Sequence, residues 1–455
     1  MAVATVKASR TVDEVADLVQ ATTPRGLAHF REASEVVSGG TTRTRHFWPL
    51  PLFIDRGEGA YLYDIDGRRY VDCNLGFGPL ILGHGHPAVT RALREQLDRG
   101  IMFGCPVTAE EAVARKIVRH VPGAERVVFL NSGTEATLGA ARIARAATRR
   151  TKIAKFEGGW HGWHDFGVVS FFRAKGAPEQ AEAVPDSLGI PADALAQVVV
   201  LPYNDRSCLD RIRREAADLA CVFVEAVQGA AGAIPIDREL LVDLRALTAQ
   251  LGILLIVDEV ITGFRLGISG ACGYYGVTPD LVTLGKIIGG GGAAGAIAGR
   301  ADVLGLVEPA ENVAHVIMFG TFSANPLTLV AGNAQLEVLL RDPEQYRYLD
   351  ELGDRLRAGI QGVFEELGVA AHVTGIGSMW GYHFVPRAPR SRREQKGMNT
   401  TALRVLGAYL RLEGVFLSSP VHLGFLSTAH TREDVDFVVE GHRRALIRMK
   451  AEGFA

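Results

Sequence analysis

The centre of the chain alternates between short aliphatic runs and longer stretches with helical spacing. Runs of about four to eight β-branched and aliphatic residues are typical of strands that are buried on both faces of a sheet. Segments with apolar residues at helical spacing, such as 238–251, fill the intervals. Strands separated by helices predict an α/β fold with a mainly parallel sheet covered on both faces. The predicted strands span residues 126–130, 152–156, 197–201, 221–225, 253–257 and 281–284.

The two flanks carry different patterns. Residues 11–36 have helical spacing with a break at Thr23–Pro24, and residues 54–71 alternate around Asp66-Gly67, which is a hairpin-turn signal. From about residue 346 the order changes to helix, strand, strand and helix, which indicates a smaller α/β domain.

The length of 455 residues favours several packed subdomains over one simple core. We predict an N-terminal segment, 1–85, that packs with a small C-terminal domain, 346–455. A large domain, 86–345, holds the predicted sheet and a polar stretch at 171–190 with no clear period. Long loops in compact enzymes are often lids, and we expect this stretch to be one.

Composition and charge argue against several classes of protein. The formal net charge is −2 without a long basic run, so nucleic-acid binding is not expected. Five cysteines without a CxxC pair favour a reducing compartment over a disulfide framework or a zinc site. The first residues lack the apolar core of a signal peptide, and no apolar run has the length of a membrane span. We therefore expect a cytoplasmic protein that does not associate with membranes.

Two of the predicted strands end in residues that could carry chemistry. Asp258 and Glu259 follow the run 253–257, and Lys286 follows the run 281–284 shortly before a glycine tract. Ligands of open α/β sheets bind at this edge. A desolvated lysine is a nucleophilic amine that forms Schiff bases, and a buried acid needs a partner such as a protonated ring nitrogen. Pyridoxal phosphate (PLP) offers both an aldehyde and such a nitrogen. The alternative is a surface lysine and a solvated acid pair.

A candidate anion site precedes the helix predicted to end near Thr148. Ser132, Gly133 and Thr134 lie between a strand and this helix. The free amides and the dipole of a helix N-terminus favour a phosphate there, and Gly133 allows close approach. An ordinary N-cap is the alternative, because Ser and Thr are common capping residues.

Other candidates are less specific. Trp160 and His161 follow the strand 152–156, where an indole could stack on a cofactor ring, although a core aromatic beside a hydrogen-bonded histidine is a frequent arrangement. Arg43 and Arg45, in a glycine-led loop, could bind a substrate carboxylate through two parallel hydrogen bonds, or could be solvated. No metal site is expected, because His84 and His86 lack partners at ligand spacing.

Six motifs in order resemble those of a known family. They are LGHGHP (82–87), NSGTEAT (131–137), KFEGGWHG (155–162), VDEVITGFR (257–265), YYGVTPDLVTLGKIIGGG (274–291) and GTFSANP (320–326). With them the chain resembles the class III PLP-dependent aminotransferases of fold type I, especially glutamate-1-semialdehyde 2,1-aminomutase and the β-amino-acid aminotransferases. The resemblance runs from about residue 30 to the C-terminus. It implies a large domain with a mainly parallel seven-stranded sheet, and a smaller α/β domain.

The resemblance also implies roles for single residues. Lys286 resembles the lysine that binds PLP and moves the proton, and Asp258 resembles the acid on the ring nitrogen. Val260 resembles the residue packed under the ring, while Trp160 stands where the family usually has tyrosine. Ser132, Gly133 and Thr134 resemble the residues that bind the phosphate group of PLP in the family. Thr321 resembles a residue that reaches the phosphate of the neighbouring subunit, which implies a homodimer with shared active sites.

Departures from the aminomutase pattern concern the substrate. His422 replaces the glutamate of a stretch that resembles FEAGF, and Phe77 replaces a pocket tryptophan. Residues 39–43, GGTTR, resemble a segment of β-amino-acid aminotransferases whose arginine, here Arg43, binds the substrate carboxylate. We expect an aminotransferase that uses an amine donor and a keto acid acceptor, with the amine β to a carboxylate or further away. The alternative is glutamate-1-semialdehyde 2,1-aminomutase.

Overall fold

A computed structural model describes residues 10–42, 47–309, 314–418 and 423–455 of the chain. The described strands are short, and those of the central sheet are largely buried. They are β1 (Ile54–Glu58), β2 (Tyr61–Asp64), β3 (Arg69–Asp72), β4 (Arg126–Leu130), β5 (Lys152–Phe156), β6 (Val198–Leu201), β7 (Leu219–Val224), β8 (Val227–Gln228), β9 (Ile234–Pro235), β10 (Leu254–Asp258), β11 (Leu281–Gly285), β12 (Gly295–Gly299), β13 (His372–Ile376), β14 (Met379–His383), β15 (Val415–Phe416) and β16 (Leu423–Phe425).

The described helices lie between these strands and at both flanks. They are α1 (Val12–Ala21), α2 (Pro24–Ala33), α3 (Pro87–Leu97), α4 (Thr108–His120), α5 (Gly133–Thr148), α6 (Ala192–Ala196), α7 (Ser207–Glu215), α8 (Arg238–Gln250), α9 (Gly270–Tyr275), α10 (Ala301–Leu304), α11 (Pro326–Arg341), α12 (Glu344–Glu366), α13 (Thr400–Leu412) and α14 (Arg432–Ala451).

The central sheet has seven strands in the order β4-β12-β11-β10-β7-β5-β6. All of its strands run parallel except β12, which pairs antiparallel with both of its neighbours. Every residue of β7, β10 and β11 is buried, because helices cover both faces. The predicted α/β class and the mainly parallel seven-stranded sheet are confirmed.

One strand of this sheet escaped prediction from the sequence. Strand β12 reads Gly-Ala-Ile-Ala-Gly, and its small residues lack the β-branched and aromatic character that marks a strand. It nevertheless pairs along its full length with β4 and β11, with Gly295 opposite both Leu130 and Gly285. The pairing depends on the two neighbouring strands β4 and β11, and local sequence carries no signal for it.

The flanking segments form smaller sheets. The predicted turn at Asp66-Gly67 joins β2 and β3, which pair antiparallel, and β1 precedes them in the same sheet. Strand β15, from the C-terminal part of the chain, adds to β3 in parallel, with Val415 opposite Val71. Strands β13, β14 and β16 form an antiparallel sheet. The division at residues 85 and 345 stays a prediction.

Candidate active site

Strands β10 and β11 bring two predicted site residues to one edge of the central sheet. The strands are parallel neighbours, and Asp258 at the end of β10 lies opposite Thr283 in β11. Lys286 directly follows β11 and begins a short 3-10 turn with its backbone in the left-handed region, at φ 48°. The acid and the lysine therefore share the carboxyl edge, where ligands of such sheets bind.

The carboxylate of Asp258 is 5 % exposed and accepts hydrogen bonds from a neighbouring strand, a loop and the turn after β10. His161 Nδ1 donates to Oδ2 at 2.8 Å, and Thr283 Oγ1 donates to Oδ1 at 3.1 Å. The Val260 amide also donates to Oδ1, at 3.1 Å. Burial lowers the pKa of His161, so the ring is neutral and its Nδ1 proton points to the carboxylate. Asp258 is thus fixed in one orientation.

Lys286 is half-buried, and its Nζ donates to the Phe77 carbonyl oxygen at 2.6 Å. Phe77 lies in a tight turn after β3 and has a left-handed backbone, with φ 68°. The structure thus brings Phe77, predicted for substrate binding, next to the predicted cofactor lysine through its main chain.

Helix α5 begins as the sequence predicted. Ser132 Oγ accepts from the Glu135 amide at 3.1 Å, which is an N-cap hydrogen bond. Gly133 lies against Val260, because a Cβ at this position would come within 2.8 Å of Val260 Cγ1. The N-cap alternative is therefore real, and it leaves the first amides of α5 without intrahelical acceptors.

The loop that carries Trp160 and His161 is held by a buried lysine. Lys155 Nζ donates to the carbonyl oxygens of Gly159 and Gly167 at 3.0 Å and of Val169 at 2.5 Å. All three of its donors are used, and burial lowers the pKa of Lys155 to about 7. This network fixes the loop from its interior side.

Trp160 itself is 38 % exposed and packs on Phe171 with ring centroids 4.7 Å apart. Its amide donates to Glu225 Oε1 at 2.7 Å, and the Gly229 amide donates to Glu225 Oε2 at 3.1 Å. Burial raises the pKa of Glu225 to about 8, and the neighbouring Asp258 adds to this increase. Glu225 therefore joins the Trp160 loop to the carboxyl edge of the sheet.

Two contributors to this site were missed from the sequence. Glu225 directly follows the buried strand β7, and Asp258 is the last residue of the buried strand β10, so an acid at the end of an apolar run could have identified both. Thr283 is a polar residue within an apolar strand, and only its register opposite Asp258 gives it a function.

Other predicted residues lie elsewhere. Arg43, Arg45 and His422 lie outside the described residues, so their assignments stay predictions. Thr321 lies in an exposed turn before α11, and its role toward a neighbouring subunit also stays a prediction.

The donors and acceptors at this edge fit PLP. Among the described residues, Asp258 Oδ2 accepts only from His161, which leaves it a lone-pair direction for a protonated ring nitrogen. The first amides of α5 face no intrahelical partner and suit a phosphate. Lys286 provides a primary amine between these two features along the sheet edge.

No described helix is long and apolar enough to cross a membrane. No group of three or more His, Cys, Asp or Glu side chains in the described ranges could hold a metal ion.

Comparison with known proteins identifies the family. Residues 43–418 match the model of the class-III aminotransferases. The chain is 41 % identical over 424 residues to glutamate-1-semialdehyde 2,1-aminomutase of Methanothermobacter thermautotrophicus, covering 92 % of this chain and 98 % of the relative.

Solved structures agree with this match. An ω-transaminase from Sphaerobacter thermophilus is 36 % identical with a TM-score of 0.88, covering 93 % of this chain and 98 % of that one. A β-phenylalanine aminotransferase from Variovorax paradoxus is 34 % identical with a TM-score of 0.86, covering 97 % and 99 %. A glutamate-1-semialdehyde-aminomutase from Pseudomonas aeruginosa PAO1, in complex with PMP, is 28 % identical with a TM-score of 0.86, covering 96 % and 97 %. The chain belongs to the class-III aminotransferase family, and its cofactor is pyridoxal phosphate.

Proposed function

We propose that this enzyme moves an amino group on a small substrate that carries a carboxylate, and that glutamate-1-semialdehyde is its first candidate substrate. The observation that carries the proposal is the 41 % identity to a glutamate-1-semialdehyde 2,1-aminomutase across 92 % of the chain. This similarity supports the alternative expectation from the sequence better than the β-amino-acid aminotransferase that we placed first.

The residues at the sheet edge have distinct tasks in this proposal. When bound, PLP supplies an electron sink beside the reacting amine. Lys286 would hold the cofactor through its amine, and the same amine, as a neutral base, would take the proton from the substrate carbon that bears the amino group. Asp258 keeps the ring nitrogen protonated, and His161 and Thr283 hold that carboxylate in place. The N-terminus of α5, from Ser132 onward, binds the phosphate, and Trp160 covers the ring.

The aminomutase reaction has a direct test. Purified enzyme receives glutamate-1-semialdehyde without any second amine or keto acid, and chromatography follows the isomer whose amino group has moved from carbon 2 to carbon 1. We expect conversion without a co-substrate, because the amino group returns to the same molecule. Lys286→Ala serves as the inactive control. Conversion that requires an added amine or keto acid would contradict the proposal.

Intermolecular aminotransfer is the second candidate. Two observations favour it: the similarity to the two transaminase structures, at 36 % and 34 % identity, and the GGTTR segment at 39–43. A panel of α-, β- and ω-amino donors with a keto acid acceptor, followed through the absorbance of the cofactor, tests it. Turnover of β-amino acids with no reaction of glutamate-1-semialdehyde would establish this candidate over the first.

Arg43 is the proposed carboxylate ligand in either reaction. Removing one partner of a desolvated charge pair costs about 2–5 kcal/mol, or roughly 30- to several-thousand-fold. Arg43→Ala should therefore lower turnover of carboxylate-bearing amines by that factor and spare a simple amine. Arg45→Ala is the matched control, and normal turnover by both variants would refute carboxylate binding by this loop.

We also propose a homodimer whose subunits share active sites. Thr321 lies in a turn flanked by exposed aromatic residues, with Phe319 85 % and Phe322 62 % exposed, as expected of a surface that a second copy covers. Lys286→Ala subunits mixed with Thr321→Ala subunits should regain activity, because one site in each mixed dimer is intact. Mixed dimers no more active than either parent would refute shared sites.

A further inference from the structure

Arg265 is a buried arginine without a carboxylate partner among the described residues. It is 2 % exposed and lies in the turn that follows β10. Burial lowers the pKa of its guanidinium to about 9. A buried charge is costly unless hydrogen bonds replace water, so the acceptors of this side chain indicate why it is there.

Three separate parts of the chain supply these acceptors. The guanidinium donates to the Gly78 carbonyl oxygen and to Ser378 Oγ, the latter at 2.9 Å. It also donates to the Leu426 carbonyl oxygen at 3.4 Å and stacks over the Phe425 ring, 4.9 Å from its centroid. Arg265 therefore joins the turn after β3 to the hairpin turn between β13 and β14 and to the end of β16.

The turn that contains Gly78 is strained. Leu75, Gly76, Phe77 and Gly78 all have left-handed backbones, with φ of 49°, 67°, 68° and 99°. Such a conformation at non-glycine residues persists only where the surroundings impose it, and it is often functional. The surroundings here include Arg265 at the end of the turn.

Polar side chains hold the turn from its beginning. Asp72 Oδ1 accepts from the amides of Asn74 and Leu75 at 2.8 and 3.0 Å. Asn74 Oδ1 accepts from the Phe77 amide at 3.0 Å. These bonds fix the start of the turn, and Arg265 at the Gly78 carbonyl fixes its end.

This turn sets the direction in which the Phe77 carbonyl group points. The Phe77 carbonyl accepts from Lys286 Nζ at 2.6 Å, and Gly78, which Arg265 holds, is the next residue. We propose that Arg265 is a positioning residue for Lys286, acting through the left-handed turn 75–78 and the Phe77 carbonyl. The proposal rests on the proposed function in one respect, namely that Lys286 carries the cofactor.

The test measures the reactivity of the lysine rather than turnover. The enzyme is loaded with pyridoxamine phosphate, which leaves the lysine amine free, and is treated with trace acetic anhydride at fixed pH. Peptide mapping by mass spectrometry gives the acetylation rate at Lys286, with other lysines of the chain as internal references. The Phe77 carbonyl stabilises the protonated, unreactive amine, so loss of that contact should raise the rate.

Arg265→Lys keeps the positive charge and removes the planar guanidinium, whose several N–H groups donate to separate acceptors at once. We expect about a tenfold higher acetylation rate at Lys286, which corresponds to about 1.4 kcal/mol and suits one hydrogen bond to a charged group. Arg411→Lys is the matched control, because Arg411 is also buried and donates to a carbonyl, that of Leu50. It should lower the melting temperature and leave the Lys286 rate within about twofold of wild type.

Equal rates in Arg265→Lys and wild type, or the same increase in both arginine variants, would overturn the proposal. If Arg265→Lys does not fold, Asn74→Ala provides the test, because it loosens the same turn and leaves the arginine intact. It should raise the Lys286 rate about threefold, and an unchanged rate would refute the proposal.

Borohydride reduction of the PLP-loaded enzyme separates this proposal from the proposed function. Label on Lys286 confirms the cofactor lysine. Label on another lysine would show that Lys286 does not carry the cofactor, and the effect of Arg265 on the Lys286 acetylation rate would then have no role in catalysis.

Discussion

Asp258 and Glu259 are adjacent in the sequence and both are buried. Asp258 nevertheless lies at the carboxyl edge of the central sheet, whereas Glu259 lies against α9. Asp258 faces the carboxyl edge of the sheet, where a histidine and a threonine side chain hold it. Its Oδ2 keeps capacity for a further donor. Asp258 therefore lies where a ligand can complete its hydrogen bonds.

Glu259 lies on the other side of the same strand end, and its hydrogen-bond donors come from α9 and from the turn after β10. Its carboxylate accepts from the amides of Ala271 and Cys272 at 2.8 Å, and from Thr262 Oγ1 at 3.0 Å. A Cβ at Gly270 would come within 2.2 Å of Glu259 Oε2, so this surface is closed. Successive side chains at a strand end point to opposite faces. One acid thus remains open to a ligand and the other anchors α9.

The largest effect should come from Asp258→Asn. An amide does not stabilise a protonated ring nitrogen as a carboxylate does, and loss of a desolvated charge pair costs about 2–5 kcal/mol. We expect turnover to fall roughly 30- to several-thousand-fold, with the melting temperature close to wild type. Steady-state kinetics and thermal denaturation measure the two quantities. Near-normal turnover would show that Asp258 is not the cofactor acid.

Glu259→Gln should reverse this pattern. One acceptor oxygen is lost at a buried site, so the free energy of unfolding should fall by about 1–3 kcal/mol. Turnover per folded molecule should stay within about threefold of wild type, because the donors that Glu259 accepts from lie in α9 and at Thr262. Chemical denaturation together with active-site titration provides the check. A loss of turnover comparable to that of Asp258→Asn would remove the distinction between the two acids.

Glu225 sharpens the comparison, because it lies in the region of Asp258 but binds backbone amides as Glu259 does. Burial raises its pKa from 4.5 to about 8, so the folded protein keeps a proton that the unfolded chain releases. The resulting stability is present below pH 4.5 and is lost as the pH rises through about 8.

Glu225→Gln should therefore remove one contribution that lowers the free energy of unfolding as the pH rises from about 5 to 7, worth up to about 1.4 kcal/mol per pH unit for one proton. This window avoids Lys155, whose pKa burial lowers to about 7. Denaturation of the variant and the wild type across the window gives the comparison. Parallel profiles would mean that Glu225 does not titrate there.

The smallest effect should come from Trp160→Phe. An aromatic contact contributes about 0.5–1.5 kcal/mol, and phenylalanine preserves most of it. Affinity for PLP should fall only a few-fold, while Trp160→Ala should lower it about tenfold. Equilibrium titration of the cofactor measures both. Equal affinities in all three proteins would place the indole outside the cofactor site.

The sequence alone located the strand ends at which Asp258 and Lys286 lie. The bounds of β4 and β5, at 126–130 and 152–156, match the aliphatic runs, and Lys286 directly follows β11 as predicted. The N-cap at Ser132 is also confirmed. These features depend on side-chain period and on contacts within a few residues, so local sequence is sufficient to predict them.

Tertiary structure alone decided which groups meet at these ends. Thr283 reaches Asp258 through the register of two parallel strands, and Phe77 and Lys286 meet across 209 residues of sequence. Arg265 likewise reaches the Gly78 carbonyl oxygen, at the end of the left-handed turn 75–78, across 187 residues. No periodicity records such contacts, because they are created by chain segments that pack together only in the folded protein. The sequence therefore determined where the reactive groups lie, and packing of distant segments decided how each of them is held.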